Sequence, residues 1–322
     1  MRITVISVCL FLLSTKAFCD NHTQNIHVAR IDGSDLLIEV TKPESSKKIP
    51  ILLAIDGSLC TPSRLGSLMD TFIPGQSGRD DYALVIVEKP SPSMPLIEKD
   101  GSFSIGPEFI CSADFKKYYA IDQRVLDHLR AIQHLRKHAE WWDGRIIVWG
   151  FSDGGKIGSQ VIAYTPEVRG AVLGGFGGGI SMADDFRDYF ICKNMLTAQR
   201  NKCLAELNIQ FDDIMQNPRT DKTWNGDANT YKVWASRLLL IETNILKDVK
   251  VPFLVFHGTE DQSVPVESAR ELNKQLSLSG ISNFTYREIQ GMGHSLLSNL
   301  PKDESQKLRN ELFNWLFQTL EP

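Results

Sequence analysis

Arg145-Ile146-Ile147-Val148-Trp149-Gly150-Phe151-Ser152-Asp153-Gly154-Gly155 is the stretch around which the rest of the chain is read. Residues 146–149 are continuously apolar, long enough for a buried strand, and the run stops at a serine flanked by glycines. In Gly150-x-Ser152-x-Gly154 the missing side chains two residues either side of the serine let the backbone turn tightly. That turn holds the hydroxyl clear of the sheet. A strand ending in a sharp turn with a serine at its tip points to nucleophilic catalysis. Glycines beside a serine also build ordinary turns, so the nucleophile's partners have to be found elsewhere in the chain.

A serine hydroxyl is a weak nucleophile near neutral pH and needs a base within hydrogen-bond reach, itself oriented by a carboxylate. An apolar strand at 253–256 is followed by His257-Gly258-Thr259-Glu260-Asp261-Gln262-Ser263-Val264-Pro265, which puts Asp261 in a loop at a strand's carboxyl end. A last strand at 284–289 is followed by Gly291-Met292-Gly293-His294-Ser295. The expected catalytic set is Ser152, Asp261 and His294, in that chain order. Glu260 is the alternative carboxylate, and His257 reads as a structural neighbour.

Strands and helices alternate on both sides of this core. Two short alternating runs around Asp32-Gly33 predict an edge hairpin. Apolar runs at 49–55 and 82–87 predict doubly covered parallel strands, with a loop and short helix at 57–71 between them. Residues 90–109, rich in Pro, Ser and Gly, read as a surface loop without regular structure. A helix is expected over 118–138, with Ile121, Val125, Leu129 and Ile132 on one stripe. Another follows the serine at 155–163, then a strand at 171–173. The glycine cluster at 174–179 has no Gly-Lys-Ser/Thr after it and reads as a loose strand end rather than a phosphate cradle. Residues 180–249 lack a strong strand and suggest amphipathic helices at 183–207 and 231–245, a helical cap or lid inserted where the nucleophile emerges. Helices at 267–276 and 304–320 complete a mostly parallel α/β sheet. The core is expected in 20–179 and 250–322.

The chain has 322 residues, of which 42% are hydrophobic and 23% charged, with a net charge of −4. No basic run appears, which argues against nucleic acid as a partner. Residues 1–19 read as a signal peptide, with Arg2 before a nearly continuous apolar run and Ala17-Phe18-Cys19 at a possible cut. The run is too short for a membrane span, and no later stretch approaches the roughly 20 apolar residues a spanning helix needs. An exported product, periplasmic or secreted, is therefore expected, without an integral membrane span. Four cysteines remain beyond the leader, and an even number in an exported chain suggests two disulfides. Of three possible pairings, we expect Cys192 with Cys203 across a short loop, and Cys60 with Cys111 in loops after early strands. Asn21-His22-Thr23 and Asn283-Phe284-Thr285 match the glycosylation pattern of a eukaryotic secretory route.

With its three motifs in this order, the chain resembles the α/β-hydrolase superfamily over about 49–320. It is most similar to the prolyl-oligopeptidase-like and dienelactone-hydrolase-like esterase branch, to which G-x-S-x-G-G and H-G-x-x-D-x-x-V-P are familiar. The stretch before Ile49 is too short for the propeller domain of large oligopeptidases, which favours an ester over a peptide. The resemblance implies an α/β-hydrolase fold and an oxyanion hole of two backbone N–H groups. One would come from Asp153, the residue after the nucleophile. The other would come from Asp56-Gly57-Ser58-Leu59, where Ser58 is chosen and Leu59 is its close rival.

The expected activity is thus ester hydrolysis on a small molecule through an acyl-enzyme. A peptidase acting on short peptides is the alternative substrate class, and a non-catalytic binding protein on a hydrolase fold is the alternative of another kind. No organic cofactor and no metal is expected. His134 and His138 lie one helical turn apart, but no further ligand cluster accompanies them, and an exposed helix face is the simpler reading. Trp141 and Trp142 read as packing residues.

Overall fold

The structure is a computed structural model that describes residues 21–66, 69–97, 103–104, 109–225, 229–294 and 299–321. The signal peptide expected at 1–19 lies outside the described residues. An edge hairpin comes first, β1 (Asn21–Ala29) and β2 (Asp35–Pro43), turning at Gly33 with φ 83°. The sheet continues with β3 (Ile49–Ile55) and β4 (Ala83–Val87). The 90–109 segment is not featureless as expected, since β5 (Leu96–Ile97) and β6 (Phe103–Ser104) pair antiparallel within it. β7 (Trp142–Phe151), β8 (Val168–Gly174), β9 (Phe253–Gly258) and β10 (Phe284–Ile289) follow. The main sheet runs β1-β2-β4-β3-β7-β8-β9-β10, parallel from β4 through β10, with β2 antiparallel to β4.

The continuous apolar strands are apolar because both faces are covered. Successive residues of β3 enter opposite cores: Ile51, Leu53 and Ile55 join one buried cluster, Leu52 and Ala54 the other. The first cluster takes in α2 (Ile121–His138), α3 (Asp153–Tyr164) and α8 (Val266–Leu278); the second takes in α9 (Lys302–Gln318). This is the α/β-hydrolase architecture. The helix expected over 118–138 is broken, with α1 (Ala113–Tyr118) ending before Tyr119 and α2 beginning at Ile121. The break lets the buried Tyr119 side chain reach the carbonyl of Gly57, 2.9 Å away.

Residues 180–249 form α4 (Met182–Asp185), a π turn over Phe186–Phe190, α5 (Thr197–Gln216), α6 (Tyr231–Ala235) and α7 (Thr243–Leu246). The helix expected at 183–207 is therefore interrupted and shifted. Asn194 takes a left-handed φ of 59°, which an α-helix does not accommodate, and helix resumes at Thr197. The one expected at 231–245 breaks after Ala235, where the Ser236 hydroxyl accepts from the first N–H of α2, on Ile121, at 2.9 Å. This segment has its own core, in which Phe186, Trp224 and Trp234 meet edge to face at 5.1–5.7 Å. Disulfides join Cys60 to Cys111 and Cys192 to Cys203.

His128 of α2 is fully buried, and its Nδ1–H donates to the Arg124 carbonyl at 2.7 Å. Burial, and secondarily the Arg124 cation, push its pKa down to about 3. The folded value thus lies below the unfolded value of about 6.5. As pH falls from about 6.5 toward 3, the unfolded chain takes up a proton that the folded chain refuses, and stability drops by about 1.4 kcal/mol per pH unit. Buried His257, whose pKa is also lowered chiefly by burial, acts in the same direction. Urea unfolding between pH 6.5 and 4.5 is expected to show a shallower slope in His128→Gln than in the wild type, by close to one proton. Equal slopes would refute this account of His128.

Candidate active site

Ser152 stands between the end of β7 and the start of α3 with φ 57° and ψ −128°. For a non-glycine residue such a conformation costs on the order of 1–3 kcal/mol and has to be imposed by its surroundings. The surroundings are tight. A Cβ at Gly150 would strike the Gly154 carbonyl, and a Cβ at Gly154 would strike the carbonyl of Ile55 at the end of β3. The Ser152 N–H donates to Gly174 O at 2.9 Å, tying the turn to β8.

The loops after β9 and β10 bring Asp261 and His294 to this serine. His294 Nε2 lies 3.1 Å from Ser152 Oγ, and His294 Nδ1 lies 2.8 Å from Asp261 Oδ2. A carboxylate only accepts, so Nδ1 donates to it, and in the neutral imidazole Nε2 is then the lone-pair nitrogen facing the hydroxyl. Asp261 Oδ1 accepts from the N–H groups of Ser263 and Val264, each at 2.8 Å, which fixes the carboxylate plane. Burial alone would raise the Asp261 pKa. The hydrogen bond and charge of His294, the Val264 N–H and His257 outweigh it, so the group sits below the ordinary carboxylate range. Glu260, the alternative carboxylate, points elsewhere, with Oε2 3.5 Å from Asn299 Nδ2. His257 is fully buried; its Nε2 lies 3.1 Å from the Val264 carbonyl and 3.3 Å from Asp261 Oδ2, so it props the acid from behind.

Ser152 and His294 open onto a cavity of about 520 Å³. Asp153, Ser58 and Leu59 all line it, and no described residue accepts a hydrogen bond from the N–H of any of the three. Phe115 and Phe176 of the core and Met182, Phe186 and Trp234 of the 180–249 segment supply apolar walls. A carbonyl carbon brought to Ser152 would therefore meet a hydroxyl hydrogen-bonded to an imidazole, free N–H groups, and an apolar hollow for its substituents.

Sequence reasoning missed the charges around this cavity. Asp153 Oδ2 lies 2.8 Å from Arg237 Nη1, joining the residue after the serine to the 180–249 segment. Lys156 Nζ pairs with Glu242 Oε1 at 3.1 Å, and both side chains are buried. Burial raises the Glu242 pKa against the pull of Lys156, and burial lifts neighbouring Asp185 to about 7, with Lys156 opposing and Glu242 adding to the rise. Lys89 and Tyr119 lie beneath the Asp56–Leu59 turn. None of these residues carries a local signature, since each finds its partner through the fold.

His134 and His138 stack at 4.5 Å between ring centroids, and among the described residues no group of three histidine, cysteine or carboxylate ligands forms. Asn283 donates its side-chain amide to the carbonyls of Val249 and Val251 at 3.0 and 2.7 Å, so in the folded chain that nitrogen is engaged. Among the described residues no helix is long and apolar enough to cross a membrane.

The profile of the family described as serine aminopeptidase, S33, matches residues 116–301, more than half of the chain and a span that includes Ser152, Asp261 and His294. The chain belongs to the serine aminopeptidase S33 family. The expected likeness to prolyl-oligopeptidase-like and dienelactone-hydrolase-like α/β-hydrolases holds for this S33 member. Among curated proteins it is similar to the 2-hydroxy-6-oxo-6-(2'-aminophenyl)hexa-2,4-dienoic acid hydrolase of Metapseudomonas resinovorans, 30% identical over 156 residues, or 44% of this chain and 52% of the relative. It is also similar to lipase 4 of Candida albicans, 22% identical over 62% of this chain and 52% of the lipase. The chain thus spans about half the length of these curated relatives. In fold it is similar to the acylaminoacyl peptidase of Pyrococcus horikoshii, with a TM-score of 0.55 at 16% identity, covering 92% of this chain and 41% of the peptidase. The S33 chain accordingly has the α/β-hydrolase fold.

Proposed function

We propose that this S33 hydrolase is an exported serine esterase acting on small carboxylic esters, with Ser152 as nucleophile, His294 as general base and acid, and Asp261 as the group that orients His294. The observation that carries the reading is the hydrogen-bonded series from Asp261 through His294 to Ser152 at the mouth of a cavity. Ser152 Oγ bonds to the ester carbon as its proton passes to His294 Nε2. The oxyanion that forms is held by the N–H groups of Asp153 and Ser58. The C–O bond then breaks and His294 returns the proton to the departing alcohol, leaving Ser152 acylated. Water attacks the acyl-enzyme, giving a proton to His294, and the carboxylic acid leaves with Ser152 restored. Residues 180–249 act as the cap whose aromatic wall selects the substituent. Export is supported by the leader-like 1–19 stretch and by two disulfides, which persist in oxidising compartments.

The second reading, a peptidase for short peptides, is favoured by the family's own description. Comparing kcat/KM for p-nitrophenyl acetate with that for alanine p-nitroanilide separates the two. A higher value for the ester is expected, and a strong preference for the anilide would replace the esterase reading with the peptidase one.

A further inference from the structure

We propose that Lys89 and Tyr119 are positioning residues for the oxyanion hole, gripping the carbonyl of Gly57 from beneath so that the N–H of Ser58 is turned toward Ser152. This rests on the reading of Ser152 as the acylated nucleophile.

Lys89 stands two residues past the end of β4, and its side chain is 2% exposed. An ammonium group has three hydrogens to donate. Lys89 Nζ meets three acceptors in one turn of chain: Asp56 Oδ2 at 2.5 Å, Gly57 O at 3.3 Å and Leu59 O at 2.6 Å. The Tyr119 hydroxyl adds a second donor to Gly57 O at 2.9 Å. Burial, with Asp153 assisting, pushes the Tyr119 phenol well up, so it keeps its proton as a donor.

A peptide bond is planar and trans, so a carbonyl and the N–H of the next residue point in opposite directions. No cis peptide occurs among the described residues. With Gly57 O drawn down onto two buried donors, the Ser58 N–H faces the other way, into the cavity that Ser58 shares with Ser152. Gly57 also stands against the nucleophile, since a Cβ there would lie 3.1 Å from Ser152 Cβ and 3.5 Å from its Oγ. Leu59, the rival donor, has its N–H in the peptide whose carbonyl belongs to Ser58, and no described residue donates to that carbonyl. The grip therefore orients the Ser58 N–H, whereas the peptide that carries the Leu59 N–H has no such donor on its carbonyl.

The neighbour of Lys89 secures the far end of the same loop. Glu88 accepts from Ser63 N at 2.9 Å and from Ser63 Oγ at 2.8 Å, while Arg124 donates to the carbonyls of Val87 and Glu88, each at 2.7 Å. The cation holds the loop's carbonyls, the anion holds its N–H and O–H groups, and the Cys60–Cys111 bridge lies between them. A donor fixed before the reaction needs no reorganisation as charge develops on the substrate oxygen.

The test compares wild type with Lys89→Met and Tyr119→Phe, measuring kcat per titrated active site on p-nitrophenyl acetate and affinity for an alkyl trifluoromethyl ketone, whose tetrahedral adduct places an oxyanion in the hole. Losing one donor outright costs roughly a hundredfold to a thousandfold, so for the misaligned donor of Lys89→Met a fall of about 10- to 100-fold in kcat is expected. KM should stay within about twofold, and ketone affinity should fall in step with kcat. Tyr119→Phe should show the same split at about 3- to 10-fold, since Lys89 remains. A merely structural role would reduce the titratable fraction or the Tm and leave kcat per site untouched. Unchanged kcat per site and ketone affinity in both variants overturn the proposal. If Lys89→Met gives no cooperative melt, Tyr119→Phe, which deletes one oxygen, decides alone. A wild type inert to ester and ketone overturns the serine-esterase reading along with this proposal, whereas an active wild type with indifferent variants sinks only the role of Lys89 and Tyr119.

Discussion

Ser152→Ala lowers kcat on p-nitrophenyl acetate by about a million-fold, the loss expected when the nucleophile of a Ser-His-Asp enzyme is removed. His294 Nε2, 3.1 Å from Oγ in the wild type, then has no hydroxyl to deprotonate. What remains is the contribution of the free N–H donors and of binding, a residual of about 10³- to 10⁴-fold over water. Stability should be unaffected, because alanine keeps the Cβ and the same strained φ of 57°. Matched melting curves alongside the kinetics would make the loss a chemical one. Retention of even about one part in a hundred of wild-type kcat would mean that the hydrolysis proceeds without Ser152.

Asp261→Asn is expected to lower kcat by about 10⁴-fold while the fold stays intact. The donors around the carboxylate decide this outcome. Ser263 and Val264 each present an N–H to Oδ1 at 2.8 Å, so an asparagine at 261 keeps its oxygen there and turns its NH₂ toward His294 Nδ1, where Oδ2 now accepts at 2.8 Å. An NH₂ group donates, so Nδ1 must become the acceptor and the hydrogen moves to Nε2. The imidazole then offers Ser152 an N–H in place of a lone pair, and the base is lost through its tautomer. Substrate contacts are untouched, so KM should change little. A kcat within about tenfold of wild type would show that Asp261 does not orient His294.

The parts of this molecule legible in its sequence are those whose physics is local. β3, β4 and the 146–149 part of β7 are covered on both faces and therefore read as unbroken apolar runs. Ser152, Asp261 and His294 each follow a strand, and glycines mark the turns beside them. The helices of 180–249 were less readable, because the left-handed Asn194 and the contact of Ser236 with Ile121 interrupt patterns that look continuous in sequence. The clamp under the oxyanion loop left no sequence trace. Lys89 lies 33 residues from Asp56 and Tyr119 lies 62 from Gly57. Lys156 and Glu242 are 86 residues apart and meet only because the 180–249 segment folds back on α3. A charged residue in such a role looks, in sequence, like any solvated one.

The central claim is that Ser152 is a nucleophile activated by His294, and labelling tests it most directly. The protein is incubated with an alkyl fluorophosphonate, digested, and the modified peptide located by mass spectrometry. A stoichiometric adduct on Ser152 is expected in the wild type and none in Ser152→Ala. A wild type that stays unlabelled, or one that carries its adduct on another residue, would contradict it.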